Sequence, residues 1–357
     1  MATKKFPLPL WSLILPVVAW LLYFVGIKDS LTLQVLGGVF LIGSVLSAVH
    51  HAEVVAHKVG EPFGTIILAL AITVIEVAPI VSLMVAGDDT AHLAKDTVFA
   101  AIMLILNGIL GASLVMGTLK YREQYFAKKS ASTAMIALVA ILVMTLILPN
   151  FTTSTGEGTY STPQMIFVAF ASLVLYGSFI MVQTVRHRDY FLADDDDVTH
   201  HAEPPSTQVA LTSLGFLLVC LGIVVLMAKA LSPAVEAFVS SIGAPKALVG
   251  VIIATVVLLP EGLAALNAAS RNRFQTSVNL ALGSALASIG LTIPAVVMVC
   301  LFYEIPLVLG LDDKSMVLLG LSIFMVMVSL NQGRTNILYG IVLLVNLMAY
   351  IFTVIFP

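Results

Sequence analysis

Two glutamates stand where an apolar segment should hold none: Glu76 in Ala71–Ile80, AITVIEVAPI, and Glu261 in LLPEGLAAL. Each run is long enough to cross a bilayer. An ionised carboxylate at that depth costs about 2.5–3.5 kcal/mol on insertion scales, so it persists where it has a partner or a task. No lysine or arginine falls at mid-span to pair with either; the nearest, Lys229, is placed at a span end. One reading is a permanently protonated carboxyl bonded to a neighbouring helix. The other is a site whose counter-charge is mobile. Two carboxylates neutralise one divalent cation or hold two protons, and either loaded form is neutral, whereas the empty form carries two buried charges. Neutral forms can then switch between the two sides of a membrane while the empty form is costly to move, which couples a cation to protons in opposite directions.

Pro79 and Pro260 lie beside the two acids. A proline lacks the N–H that would bond the carbonyl four residues back, so Pro79 frees the carbonyl of Ile75 and Pro260 that of Val256. Unwound backbone at membrane depth is tolerated where it lines a cavity. The expectation is therefore a broken helix at each glutamate, with carbonyl oxygens added to the carboxylates. An oxygen set without sulfur or imidazole suits a hard cation, and calcium takes six to eight such ligands in flexible geometry.

The elements that must position these groups follow from composition. Of 357 residues, 59% are hydrophobic and 10% charged, with a mean hydropathy of +1.05; soluble domains hold about a quarter charged residues. The chain reads as an all-α polytopic membrane protein, and the bilayer is its first partner. Its net charge of −3 points to no nucleic acid. Cys220 and Cys300 both lie within apolar runs and read as small packing residues.

Eleven spans are predicted, at about 8–27, 31–49, 64–86, 97–118, 131–149, 163–185, 208–230, 247–269, 277–302, 312–331 and 335–356. The basic N-terminus precedes a run too long for a signal peptide, so the first span is read as retained. Twelve of the seventeen lysines and arginines fall on the side that holds the N-terminus, which places that side in the cytoplasm and the C-terminus outside. A leading helix in 1–30 is followed by a five-span block in 31–185, an acidic cytoplasmic loop in 186–207, and a second five-span block in 208–357. Because five is odd, the second block enters from the opposite face, as in an inverted repeat. Ile67, Ala69 and Glu76 line up with Ile252, Ala254 and Glu261, and each run is followed by a span rich in small and polar residues. Asn107, Gly108 and Ser113 lie in one such span, and Asn279, Gly283, Ser284 and Ser288 in the other.

The sequence resembles the cation/calcium exchanger superfamily, and within it the calcium/proton antiporters of the bacterial ChaA type. The likeness rests on GEPFGTIILALAITVIEVAPI (60–80), on LLPEGLAALNAASRNRFQTSVNLALGSALASIGLTIP (258–294), on the acidic run, and on QGRTNILYGIVLL (332–344). It implies about eleven transmembrane helices, a leading helix plus two inverted five-helix repeats, with Glu76 and Glu261 binding calcium in competition with protons and Asn107 and Ser284 as secondary ligands. The family's Gly-Asn-Ala-x-Glu pattern is absent, Ile102 and Met103 stand where a Gly-Ser pair is usual, and Tyr339 replaces an acid. These departures thin the ring of side-chain oxygens and leave sodium or potassium as alternative cargo.

Other signals carry less. Asp194 to Asp197 with His200 and His201 read as a solvated loop or a calcium-gathering mouth. His50, His51, Glu53 and His57, in HAEVVAH, do not follow the H-E-x-x-H spacing of a zinc protease and read as an amphipathic connector. Lys120, Arg122, Lys128 and Lys129 read as topology signals against anionic lipid. The expected function is secondary active exchange of cytoplasmic calcium for external protons across a bacterial inner membrane, with no bound cofactor and no enzymatic step. A passive cation channel is the less favoured alternative; a pore more often gathers its ligands around an axis shared by several chains.

Overall fold

The computed structural model describes residues 8–27, 30–60, 63–86, 91–191, 204–245 and 247–356. The acidic run Asp194–Asp197 with His200 and His201 lies outside these. Among the described residues the secondary structure is helical, with only two isolated β-bridges. The helices are α1 (Leu10–Val25), α2 (Leu31–Val59), α3 (Phe63–Ala86), α4 (Leu93–Met103), α5 (Leu110–Tyr121), α6 (Lys128–Leu142), α7 (Thr162–Met181), α8 (Thr207–Ser241), α9 (Ala247–Ser270), α10 (Phe274–Tyr303), α11 (Asp313–Leu330) and α12 (Ile337–Ile355). α4 and α5 are halves of one span joined by a π-helical turn at Leu104–Ile109. Among the described residues ten helical segments are long and apolar enough to cross a membrane, and α1, with 16 residues, is a shorter apolar helix.

Two spans outrun their predicted ends. α2 has 29 residues and α8 has 35, about 44 and 52 Å at 1.5 Å per residue, against about 30 Å of hydrocarbon. Apolarity marks where a helix meets lipid, not where its hydrogen bonds stop. HAEVVAHK is polar yet rich in helix-forming residues, so α2 continues through it. For the same reason Lys229 and Glu236, both exposed, lie inside α8, where Ser232 Oγ donates to Glu236 Oε1 at 3.0 Å.

The chain divides into two compact units. The first comprises α1, α2, α3 up to Leu83, and α8. In it α2 and α8 pack along one another and α1 packs against both. Ala19, Ile27, Ile223, Met227 and Leu231 form a buried core. A Cβ at Gly37 would sit 3.0 Å from the Ile27 side chain, so a bare backbone sets that spacing.

The second unit holds α4 to α7 and α9 to α12. α10 is its axis, packed by α4, α5, α6, α7 and α9, while α12 packs on α5. The tightest backbone approach is between α5 and α12: a Cβ on Gly340 would meet the Gly111 carbonyl oxygen at 2.6 Å, the close crossing that paired small residues permit in membranes. Both ends of the unit are tied by loops. At one, Tyr125 bridges Arg334, Phe126 N–H donates to the Gly333 carbonyl and Thr335 N–H to that of Gln124. At the other, Thr159 bridges Val308, and Leu309 and Gly310 N–H donate to the Gly158 carbonyl. Exchanging each span of the first five-helix block for its counterpart in the second turns the α5–α12 pair into α10–α7, and the first loop bridge into the second. These two exchanges are the ones an inverted repeat of the five-helix blocks would produce.

Widening the α5–α12 crossing is costly. Gly340→Leu is expected to lower the melting temperature of the purified protein in detergent by several degrees, an overpacking penalty of about 1–3 kcal/mol or more. Gly38→Ala, with nothing within 4 Å of its Cβ, should leave it unchanged.

Candidate functional site

Both glutamates are buried, Glu76 at 3% exposure in α3 and Glu261 at 8% in α9. Ile75, Val77 and Ile80 are buried around Glu76, and Leu258, Pro260 and Ala265 around Glu261. Glu76 belongs to the first unit, whereas Glu261, Asn107 and Ser284 belong to the second.

The predicted helix breaks are absent. α3 runs through Pro79 and α9 through Pro260 without interruption. A proline deletes one hydrogen bond, and neighbouring turns hold the helix where it is packed. Each proline still leaves one carbonyl, of Ile75 or Val256, without its helical donor, so the oxygen remains while the unwinding does not. The irregular backbone lies instead at Leu104–Ile109, where Leu110 N–H bonds the Ile105 carbonyl five residues back. Such π-turns arise inside α-helices where a local rotation is needed, often near functional groups.

Asn107 sits in that turn and is fully buried, but its side chain is directed to α11 and α12. Its Nδ2 donates to Ser322 Oγ at 2.9 Å and to the Met103 carbonyl at 3.3 Å, and its Oδ1 accepts from Asn346 Nδ2 at 3.0 Å. Asn346 Nδ2 also reaches Ser322 Oγ at 2.8 Å, and Ser322 donates on to the Leu318 carbonyl. The amide expected to serve as a ligand is thereby engaged in a polar triad. Ser322 and Asn346 were not singled out from sequence; a lone asparagine in LLVNLM and a serine in GLSIFM, each at mid-span, were the available signals.

Ser284 lies on α10, which packs against α9. Its hydroxyl is shielded from solvent and has no hydrogen-bond partner among the described residues. Most helical hydroxyls here bond back to their own helix, as Thr73 does to Ala69 and Thr255 to Val251, so Ser284 is one of a few oxygens free to face a guest. Among the described residues no three His, Cys, Asp or Glu side chains converge on a metal position.

The HAEVVAH residues diverge. His51 is buried, its Nε2 lying 3.1 Å from the Ser12 carbonyl and its ring stacked on Phe216. His50 lies against Trp11, and Glu53 and His57 are exposed. Lys120, read as a topology signal, also donates to the Ser270 carbonyl at 2.9 Å, and Lys129 lies over the Tyr190 ring. Cys220 and Cys300 are buried free thiols.

The sodium/calcium exchanger protein family matches residues 29–185 and 212–356, which include both glutamates. The chain belongs to this family. The exchanger is 43% identical over 340 residues, 94% of this chain and 93% of the other, to a Sinorhizobium fredii protein named for ionic transport without a stated ion. It is 34% identical over 353 residues, covering 96% and 95% of the two chains, to the sodium-potassium/proton antiporter ChaA of Escherichia coli. Its fold is that of the solved calcium/proton exchangers YfkE, at TM-score 0.72 with 16% identity over 97% of this chain and all of that one, and CAX, at 0.71 with 13% identity over 96% and 87%. The relatives are membrane transporters, and the exchanger is a multi-pass transporter of cations.

Removing an unpartnered buried hydroxyl costs the empty exchanger little. Ser284→Ala should leave its melting temperature in cation-free detergent unchanged or slightly raised, which a melting curve against the wild type checks.

Proposed function

We infer that the exchanger carries calcium out of the cytoplasm against entering protons, with Glu76 and Glu261 as the groups that hold either cargo. The observation that carries this reading is one buried carboxylate at mid-span in each five-helix block, with a proline-exposed carbonyl on the same helix, of Ile75 beside Glu76 and of Val256 five residues before Glu261. Calcium bound by two carboxylates is neutral, as are two carboxyls, so exchange conserves the buried charge while an empty transit does not. Ser284 adds a hydroxyl oxygen to this set. The excess of basic residues on the N-terminal side supports an N-terminus in the cytoplasm of a bacterial inner membrane.

A second cargo, sodium or potassium, is favoured by one structural fact. With Asn107 committed to Ser322 and Asn346, fewer side-chain oxygens remain than the six to eight calcium prefers. The 34% identical relative is itself named a sodium-potassium/proton antiporter.

Acidified everted vesicles carrying the exchanger are expected to release protons when calcium is added. Glu76→Gln and Glu261→Gln should each fall to the level of vesicles lacking the protein. Release with sodium or potassium but not calcium assigns the second cargo; retained exchange in both variants would remove the glutamates from the site.

A further inference from the structure

The Asn107–Ser322–Asn346 triad lies at the middle of its three helical spans and is almost wholly shielded from solvent. A polar cluster at that depth is expensive unless every member is satisfied, and here the two amides and the hydroxyl bond one another across the α4–α5 span, α11 and α12. In the counterpart spans α10 is continuous, and Ser172 of α7 and Thr145, in the π-turn that follows α6, bond back to their own helices.

The triad has a consequence on the opposite side of its span. Residues two apart on a helix project to roughly opposite sides, so with Asn107 drawn toward α11 and α12, Ile109 projects away from them. A Cβ built on Gly262 of α9 would lie 3.4 Å from the Ile109 side chain, an ordinary packing contact. Gly262 is the residue after Glu261, so Ile109 packs on α9 directly beside that glutamate. Gly108 and Gly111 fix the same rotation, the first facing Leu347 and the second Leu343 and Gly340.

We propose that Asn107, Ser322 and Asn346 are positioning residues: they set the rotation of the α4–α5 span at its π-turn, seat Ile109 on Gly262, and so fix the placement of Glu261. None of the three touches the cargo. Outer partners of this kind hold a binding group in place at tenfold to a hundredfold in affinity. The assignment of Glu261 rests on the antiport reading, but its surroundings can be probed without transport.

Three variants separate position from stability. Asn107→Leu leaves Asn346 and Ser322 partly unsatisfied and should lower the melting temperature. Asn107→Leu/Asn346→Leu removes both amides and should recover much of that stability, because an apolar pair leaves fewer orphaned groups. Thr145→Val, which loses only a bond to its own helix, is the control. The first readout is the rate at which dicyclohexylcarbodiimide, which couples to protonated carboxyls in apolar surroundings, labels Glu261 in cation-free detergent, read by mass spectrometry. The rate is expected to change several-fold in the single and the double variant alike and to stay at wild type in the control. The second is proton release in vesicles, where both variants should raise the half-saturating cation concentration about tenfold with a smaller change in maximal rate per folded protein. A double variant that regains stability together with wild-type labelling would overturn the proposal and leave the triad a packing feature. If the wild type exchanges no cation for protons, the antiport reading falls, and the labelling rates alone decide the positioning role.

Discussion

A polar group at mid-bilayer depth has only protein to bond to, and most of this exchanger's organisation follows from that shortage of partners. Hydroxyls of threonine and serine return to the carbonyl one turn back. Asn107 and Asn346, each carrying both donors and an acceptor, are gathered with Ser322 into a triad. On the function proposed above, glutamates meet the same constraint differently, because a carboxylate can be neutralised by something that leaves. On that reading the two acids and the triad are two answers to one problem, one exchangeable and one static.

Packing divides the labour in a second way. Where backbones must approach, glycine does the work, at Gly111 against Gly340. Where rotation must be fixed, hydrogen bonds do it, since lipid gives no hydrophobic driving force between helices and small-residue contacts alone leave a helix free to turn. The α4–α5 span combines both within about one turn, from Asn107 to Gly111, beside its π-helical segment.

Much of this was legible in the sequence, for reasons that also mark the limit. Span positions were readable because twenty apolar residues in a row have few other uses, and Glu76 and Glu261 stood out as mid-span acids without a mid-span base. The ends of α2 and α8 were not readable, because hydropathy reports solvent and HAEVVAHK is polar but helical. Pro79 and Pro260 promised broken helices; the loss of one bond was real, but tertiary packing decided that the helices continue. Asn107 was recognised as special, but its engagement in a triad was not, since its partners Ser322 and Asn346 lie 215 and 239 residues away and no local pattern announces them.

The loop bridges carry a consequence for how the molecule comes into being. Gln124 offers its N–H to Thr335 Oγ1, 211 residues later, and its side-chain amide to Ala269 and Asn272, some 145 residues later. A chain made from its N-terminus onward holds that buried glutamine unanswered until α9 and then the turn before α12 have emerged. α12 acts as a keystone: the second unit is complete only once the turn before α12 and that helix have emerged, and until then the unit's earlier helices wait as partly satisfied guests of the lipid or of the insertion machinery.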